Sequence, residues 1–550
     1  MFAHKIAAAI ATHVSLDEKI IQELIEIPPQ VEMGDYAFPC FRLAKELKKS
    51  PVQIAQELAK NIQEEYIKEI RVQGPYINFF IKEASYAQTI LENTPTHKEK
   101  NEKVMVEFSQ PNTHKQFHIG HLRNATLGEA LCRTLEYTGY EVIRATYPGD
   151  HGAHVAKSLW YLKNYVDKIP EENKGVFLGK IYVEATNKIK ENPDLKEEVS
   201  KIHQALDAGD TELIELWKQT KEWSLDEFKA VYNELDIHFD VWYYESEEDK
   251  EANRIVDELL EANIAEHSQG AVIVDLEEQD LGVAVIRKSD GTTLYLTKDL
   301  SLGQKKFREY KLDKSIYLID SRQKLHMQQA FAILQQMGFE KEMYHLPYEM
   351  VSLPGGAMSS REGNVILYEE FKQQVLEQVS KEVADRHEDW SKTKQEEVAS
   401  AIMKAALKFG MLKVDNNTEI IFDQEQWLSL EGETGPYIQY TYARIQSIKK
   451  KISGGKADLS LLDTEEDKQL LRLLAKEQEV QEEAARNYKP HLIARYLLQL
   501  TKTLNAYYHK HHILSAQENL QQARMKLFEQ VSETMRRNAH ILAIPLLDEM

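Results

Sequence analysis

The chain has 550 residues, with 68 Lys plus Arg against 89 Asp plus Glu, a net charge of −21 that excludes a uniformly basic nucleic-acid coat. At 42% hydrophobic and 29% charged residues, with a mean hydropathy of −0.51, its composition is that of a soluble globular protein and excludes a disordered or membrane chain. Two cysteines, Cys40 and Cys132, exclude a disulfide framework and a cysteine-rich zinc module and fit a reducing cytoplasm.

At about 150 residues per domain the length predicts three or four units. The opening MFAHKIAAAIATHVSLDEKI alternates apolar residues with His and Lys and then turns acidic, which predicts a first helix and no signal peptide. Residues 1 to about 95 read as helices followed by a strand in VQGPYINFFI, where Tyr76, Asn78 and Phe80 alternate with Ile77, Phe79 and Ile81. That is a small α+β unit. A polar linker, ENTPTHKEKNEK, sets a boundary near Lys100. The strand VMVEFS, a loop through Pro111 and a helix from about Gly120, with Leu127, Leu131 and Leu135 spaced by four and Gly139 as its stop, form the first half of a βαβ unit. A second strand, YEVIRATY, ends at the Pro148–Gly152 turn, as in a parallel sheet whose loops gather at strand carboxyl ends.

Residues from about Lys157 to Asp240 have helical periodicity and read as an insertion into that sheet. Strand patterns return in GAVIVDL and GVAVIRKSDGTTLYLT, where Asp290-Gly291 predicts a hairpin. The strand SIYLID and a helix over about Leu325–Met337 resume the alternation. From about Glu370 almost only helix is expected: a connecting region to about Leu430, then a bundle broken at Gly454-Gly455 and Pro490. Charge is uneven along this plan. Residues 157–280 hold 14 basic and 31 acidic residues, a net −17, whereas 485–540 hold 9 basic and 3 acidic, a net +6. Tyr488, Tyr496, Tyr507, Tyr508, His509, His511 and His512 interleave with the latter charges, a mixture suited to phosphate contact and base stacking, although this stretch alone reads better as a solvated helix face.

The chemistry concentrates after the strand VMVEFS, in Pro111-Asn112-Thr113-His114-Lys115-Gln116-Phe117-His118-Ile119-Gly120-His121. A helix starting at His118–His121 offers unpaired N–H groups and a partial positive charge to phosphate. Gly120 allows a flat ring to lie close to the backbone. His118 and His121, three apart, can donate hydrogen bonds to one phosphoryl group as charge develops on it, which is nucleotidyl-transfer chemistry. His118-x-x-His121 and His151-x-x-His154 also have the form of zinc pairs, but metalloprotease spacing is H-E-x-x-H and no cysteine lies near either. The position between strand and helix, beside Gly and Lys, favours the phosphate reading over two structural loop histidines.

His118-Ile119-Gly120-His121 resembles the HIGH signature of class I aminoacyl-tRNA synthetases, and VEFSQPNTHKQFHIGHLRNATLGEAL is similar in particular to arginyl-tRNA synthetases. SDGTTLYLTKDL, DSRQKLHMQQAF, LPGGAMSSREGNVI and GPYIQYTYARI follow in the family's order, and MGDYAFPCFRLAKELKKSP is similar to its appended N-terminal domain, so the likeness spans nearly the whole chain. The resemblance implies an α/β fold: an appended α+β domain over 1–95 that touches the tRNA elbow, a Rossmann-like parallel-sheet catalytic domain over 101–370 with its helical insertion at about 157–240, a connecting helical region over 371–430 and an all-α anticodon-binding domain over 431–550. It implies conversion of ATP and arginine to arginyl-adenylate and pyrophosphate, then transfer of arginine to the terminal adenosine of tRNA(Arg), by a cytoplasmic monomer with no membrane partner. Magnesium accompanies ATP, and no structural metal is expected.

The arginine fork calls for carboxylates that receive it bidentately. Glu107 and Asp299 match the family positions implied to read the guanidinium, Tyr295 the one that packs along the aliphatic stem, and Asn112 and Gln323 those that fix the α-amino group. Without the resemblance, Asp299 reads as a helix N-terminal acid and Tyr295 as a strand residue. ATP is implied to meet His118, Gly120, His121 and Met358.

The second signature, KMSKS in the family, here reads Ala357-Met358-Ser359-Ser360-Arg361 and lacks both lysines. The family pairs loss of the second lysine with a lysine just before HIGH, which is Lys115 here. Lys115 is therefore expected to neutralise pyrophosphate, with Arg361 as the alternative and Ser359 and Ser360 as phosphate donors on a glycine-flanked loop. His151 stands where many members have Trp, and Tyr442 where His is frequent. Arg495, Lys502 and Arg537 are the expected tRNA contacts. Rival readings are a class I synthetase for another amino acid, against which Glu107 and Asp299 speak; a silent tRNA-binding paralogue, against which the intact histidines speak; and a small-molecule adenylyltransferase, which has no use for a basic helical bundle.

Overall fold

The computed structural model describes residues 2–28, 30–353, 356–357 and 366–550. Two compact units divide the chain. The first comprises Met1–Pro95, Ile445–Glu477 and Leu500–Thr534, and the second Thr96–Arg444, Gln478–Gln499 and Met535–Met550.

The N-terminal part of the first unit contains α1 (Phe2–Ala11), α2 (Glu18–Leu24), β1 (Tyr36–Pro39), α3 (Phe41–Leu47), α4 (Pro51–Asn61), β2 (Ile67–Gln73), β3 (Tyr76–Ile81) and α5 (Glu83–Leu91). Phe2, Ile6 and Ile10 recur at helical spacing along α1 and are fully buried. The chain breaks after Ala11 and restarts where the Asp17 carboxylate caps α2, so the expected single first helix is two. VQGPYINFFI is likewise two strands: the chain turns at Gly74 (φ 58°) and β3 pairs antiparallel with both β2 and β1.

The second unit is built on a five-stranded, all-parallel sheet in the order β11-β10-β4-β5-β6. Its elements are β4 (Lys103–Glu107), α6 (Ile119–Tyr137), β5 (Glu141–Thr146), then the helices α7 (Ala153–Tyr165), α8 (Lys174–Glu191), α9 (Leu195–Asp207) and α10 (Thr211–Glu234), and β6 (Val241–Trp242). After α11 (Glu245–Glu261) a small antiparallel sheet of β7 (Glu266–Ser268), β8 (Ala271–Asp275) and β9 (Val283–Arg287) interrupts the alternation. It resumes with α12 (Tyr295–Tyr310), β10 (Lys314–Asp320), α13 (Lys324–Gln336) and β11 (Glu342–Tyr348). Strand β4 is central: the chain moves from it outward through β5 and β6, then returns on its other side through β10 and β11. The crevice beyond the carboxyl ends of β4 and β10 is therefore the switch point where ligands bind in such sheets.

One expected strand is a helix. The Asp290-Gly291 turn forms, but the returning arm makes a single bridge, Arg287 to Thr293, before α12 begins at Tyr295. Over the longer window Leu296, Leu300 and Phe307 share one helical face, and Leu296 and Leu300 enter the core shared with Val272, Val274 and Ile286; this burial outweighs the short alternation in TTLYLT.

The remaining elements are β12 (Val351–Leu353), β13 (Gly356–Ala357), α14 (Tyr368–Arg386), α15 (Lys392–Leu412), β14 (Ile420–Ile421), α16 (Gln424–Leu428), α17 (Gly435–Lys449), α18 (Glu465–Ala475), α19 (Glu477–Arg486), α20 (His491–Lys510) and α21 (Glu518–Ile541). Apart from the short strands β12–β14, which form one small sheet, this region is helical.

Candidate active site at the carboxyl ends of the central strands

His118 is the N-cap of α6, and the two signature histidines cap each other. The His118 Nδ1 accepts the His121 backbone N–H and the His121 Nδ1 accepts that of His118, both at 3.3 Å. The rings stack, with centroids 3.6 Å apart and planes 15° from parallel. Because each Nδ1 is an acceptor, the ring proton of each neutral imidazole sits on Nε2. Burial, with Lys115 adding repulsion, pushes the His118 pKa down to about 4, and burial with His118 and Lys115 holds His121 well below its usual range. At neutral pH the pair thus presents two Nε2–H donors without imidazolium charge. The Lys115 ammonium, which acts on both imidazoles electrostatically, lies 5.3 Å from the Tyr182 ring centroid. The third histidine of the loop, His114, is fully buried between the Thr113 and Thr220 hydroxyls and is structural.

The chain following the second signature is tied to the first: Ile119 N–H donates to the Ile366 carbonyl and Tyr368 N–H to that of Phe117. Met358, Ser359, Ser360 and Arg361 lie outside the described residues. Gly120 occupies the first turn of α6. Asn112 bridges to Gly149, and its Oδ1 would lie only 2.3 Å from a Cβ on that glycine, so a side chain at residue 149 would drive Asn112 away.

Glu107 and Asp299 do come together, lining one small cavity with Lys306, Tyr317 and Met327. Glu107, at the end of β4, is 3% exposed and holds the fully buried Lys306 ammonium. Burial works against the charge on Lys306, but Glu107 outweighs it and leaves the ammonium pKa raised. Asp299 lies inside α12 and caps nothing; its carboxylate is 2.5 Å from the His326 Nε2. Burial lowers the His326 pKa, and the bond to Asp299 more than restores it.

Glu245, at the start of α11, is a third carboxylate close to Asp299, outside the lining of the cavity itself. Among the described residues no hydrogen-bond or ion-pair partner reaches its carboxyl group, and burial, with Asp150, Asp299 and Asp249 nearby and only Lys298 opposing, raises its pKa to about 8. The Tyr147 hydroxyl, buried without a hydrogen-bond partner among the described residues, feels the whole acidic set: its pKa is raised by burial and by Asp299, Glu245, Glu107 and Glu248. Lys306, His326 and Glu245 were not among the residues predicted from sequence. The available signal was the seven-residue step from Asp299 to Lys306, two helical turns that keep both on one face.

Other predicted residues lie further out. Tyr295, the first residue of α12, is 59% exposed and does not line the cavity. Gln323 is exposed just ahead of α13. Arg495 is exposed on α20, its Nε donating to the Lys413 carbonyl; Lys502 is exposed further along α20, and Arg537 is half-buried on α21. Lys502 belongs to the first unit, and Arg495 and Arg537 to the second.

Three family models match the chain: "tRNA synthetases class I (R), catalytic domain" over residues 86–424, "DALR anticodon binding domain" over 438–550 and "Arginyl tRNA synthetase N terminal domain" over 1–81. A relative from Bdellovibrio bacteriovorus named arginine–tRNA ligase is 39% identical, covering 98% of this chain and 96% of its own. One of the same name from Halothermothrix orenii is 36% identical, with both chains fully covered. The solved arginyl-tRNA synthetase of Thermus thermophilus superimposes over the full length of both chains, with a TM-score of 0.82 and 27% identity. No helix among the described residues is long and apolar enough to cross a membrane.

Proposed function

Because the chain belongs to the arginine–tRNA ligase family, as its match over nearly the whole sequence shows, we propose that the crevice beyond β4 and β10 is where arginine and ATP meet. The chain is a class I synthetase that joins arginine to tRNA. In the first step an arginine carboxylate oxygen attacks the α-phosphorus of ATP and pyrophosphate leaves; in the second, a terminal ribose hydroxyl of tRNA attacks the acyl carbon and AMP leaves. ATP enters as its magnesium complex.

The observation that carries the site assignment is the pair of neutral imidazoles at the α6 N-terminus, one crevice away from a carboxylate-lined cavity. Fixed Nε2–H donors on His118 and His121 stabilise charge developing on the phosphoryl oxygens without prior reorganisation. Lys115 supplies the positive charge for the leaving pyrophosphate, with Arg361, Ser359 and Ser360 as further donors and Gly120 and Met358 against the adenine. Glu107 and Asp299 receive the guanidinium fork, each held in place by its own cation, Lys306 or His326. Tyr295, although outside the lining of that cavity, is assigned to the substrate stem, and Asn112, aligned by Gly149, with Gln323 to the α-amino group. We assign tRNA contacts to residues 1–95 at the elbow and 431–550 at the anticodon, with residues 101–370 catalytic and 371–430 connecting, in a monomeric cytoplasmic enzyme.

ATP–pyrophosphate exchange tests this reading. Exchange should depend on arginine and require tRNA; none under either condition from a folded sample overturns it. Lys115→Ala should lower the exchange rate by about a hundredfold, in the range for loss of one transition-state charge contact, with arginine binding unchanged. An unchanged rate would remove Lys115 from the mechanism.

A further inference from the structure

The turn that positions Asn112 carries, on its far side, a set of ligand atoms the aminoacylation chemistry does not use. We propose that His151, His203 and Asp207 form a binding site for a single divalent transition-metal ion of the zinc type. His203 and Asp207 are one helical turn apart at the end of α9 and therefore share a face. His151 approaches from the turn before α7, with its Nε2 3.1 Å from the Asp207 Oδ1, and the His203 Nε2 is 3.9 Å from the Asp207 Oδ2. One donor atom from each residue lies within 4.8 Å of the other two. Metal–ligand bonds of about 2.0–2.2 Å bring neighbouring ligands to about 3 Å, so small side-chain rotations close the site. Two imidazoles and one carboxylate select zinc, cobalt, nickel or copper over magnesium or calcium, which prefer all-oxygen shells.

Both sides of the site are held in advance. Asp150, adjacent to His151 and fully buried, takes the Lys221 ammonium at 2.7 Å and the Ser246 N–H and hydroxyl at 2.9 and 2.6 Å, while its carbonyl accepts the Trp217 indole N–H at 2.8 Å. The end of α9 is anchored by Leu206, packed with Val155, Leu159 and Leu213. The H-x-x-H pair visible in sequence is not the ligand pair, because the His154 Nε2 turns inward to 3.3 Å from the Gly149 carbonyl. A plain ion pair accounts for His151 with Asp207 but leaves the second imidazole unused; His203 has no other polar partner among the described residues. A bound ion would clamp the helical insertion to the Gly149–Gly152 turn, and through it to Asn112.

The test titrates the full-length chain, stripped with chelator, with Zn2+ alone by calorimetry and with Co2+ followed by visible absorption. One site per chain is expected. Since loss of an outer-shell partner alone costs about 10–100-fold in metal affinity, loss of a ligand in His151→Ala, His203→Ala or Asp207→Asn should cost at least about tenfold and abolish the cobalt band. His267→Ala, on exposed β7, should change neither. His203→Gln, of similar size, guards against a folding defect, and Zn2+ should raise the melting temperature of the parent chain but not of this variant. No stoichiometric binding by the parent chain, or binding retained in all three ligand variants, overturns the proposal.

Discussion

Charge in and around the cavity proposed for arginine is set residue by residue. Lys306 pairs with Glu107 and His326 with Asp299, the two carboxylates proposed to receive the fork, whereas Glu245, near enough to Asp299 to feel its charge, has no such partner among the described residues. With its pKa raised to about 8, Glu245 holds a proton at pH 7 and must release it to pair with a guanidinium. Binding a cation therefore becomes tighter as pH rises: affinity should climb by up to about tenfold per unit below pH 8 and level above it. The raised His326 adds a slope of the same sign as it loses its own charge. Glu245→Gln should weaken arginine by about tenfold or more at pH 8.5 and remove one proton's worth of slope, measured by direct arginine titration across pH; an identical slope in the variant would exclude the role. Sequence made Glu107 and Asp299 legible through the family motifs, yet hid what surrounds them. Lys306 and Glu107 are 199 positions apart and meet only because α12 packs beside β4 and β10, a tertiary fact with no local signature.

At the scale of elements, the joint between β4 and α6 aims the two histidines. Phe108 leaves the end of β4 and lies flat against Gly128 in the second half of α6; a Cβ on Gly128 would sit 2.1 Å from the Phe108 ring. Phe108 is fully buried against Phe239, their centroids 4.6 Å apart, so the ring cannot simply withdraw. Gly128→Ala should therefore cost about 1–3 kcal/mol, the usual range for overpacking, despite alanine's better helix propensity of about 1 kcal/mol, and should lower exchange activity by shifting the α6 N-terminus. A melting temperature at or above the parent's would show that the joint yields freely. The same helix shows which elements sequence can reveal. Its leucines at spacing four predicted it within a residue or so, and the apolar runs predicted β4, β5 and β10 to within two residues. TTLYLT misled because four alternating residues suit a strand while the helical period only emerges at Leu300 and beyond. Strands β6, β13 and β14, of two residues each, are too short to carry any period and exist because neighbouring backbone is there to pair with them.

For the whole molecule the question is how a chain of net charge −21 holds an RNA polyanion. Steering follows the local field, not the sum, and the sum here is partitioned along the chain. The net −17 of residues 157–280 falls on the helices α7 to α11, the strands up to β8 and the turn after it, where cations answer several carboxylates: Arg254 meets Glu251, Lys305 meets Glu248 and Lys163 meets Glu212. The +6 of residues 485–540 falls on α20 and α21 and the chain flanking them, where Arg495, Lys502 and Arg537 lie. If these three each contact a phosphate, each displaces condensed counterions and contributes about 0.7–0.9 to the slope of log K against log salt. Replacing all three by Gln should lower tRNA affinity at low salt and flatten that slope by about 2 to 3, with arginine binding untouched. The prediction is read from tRNA titrations across a salt series. A parallel displacement of the line, with its slope intact, would mean that the residues matter to the bundle's structure and not to phosphate contact, and would return the basic stretch to the solvated face that its sequence alone suggests.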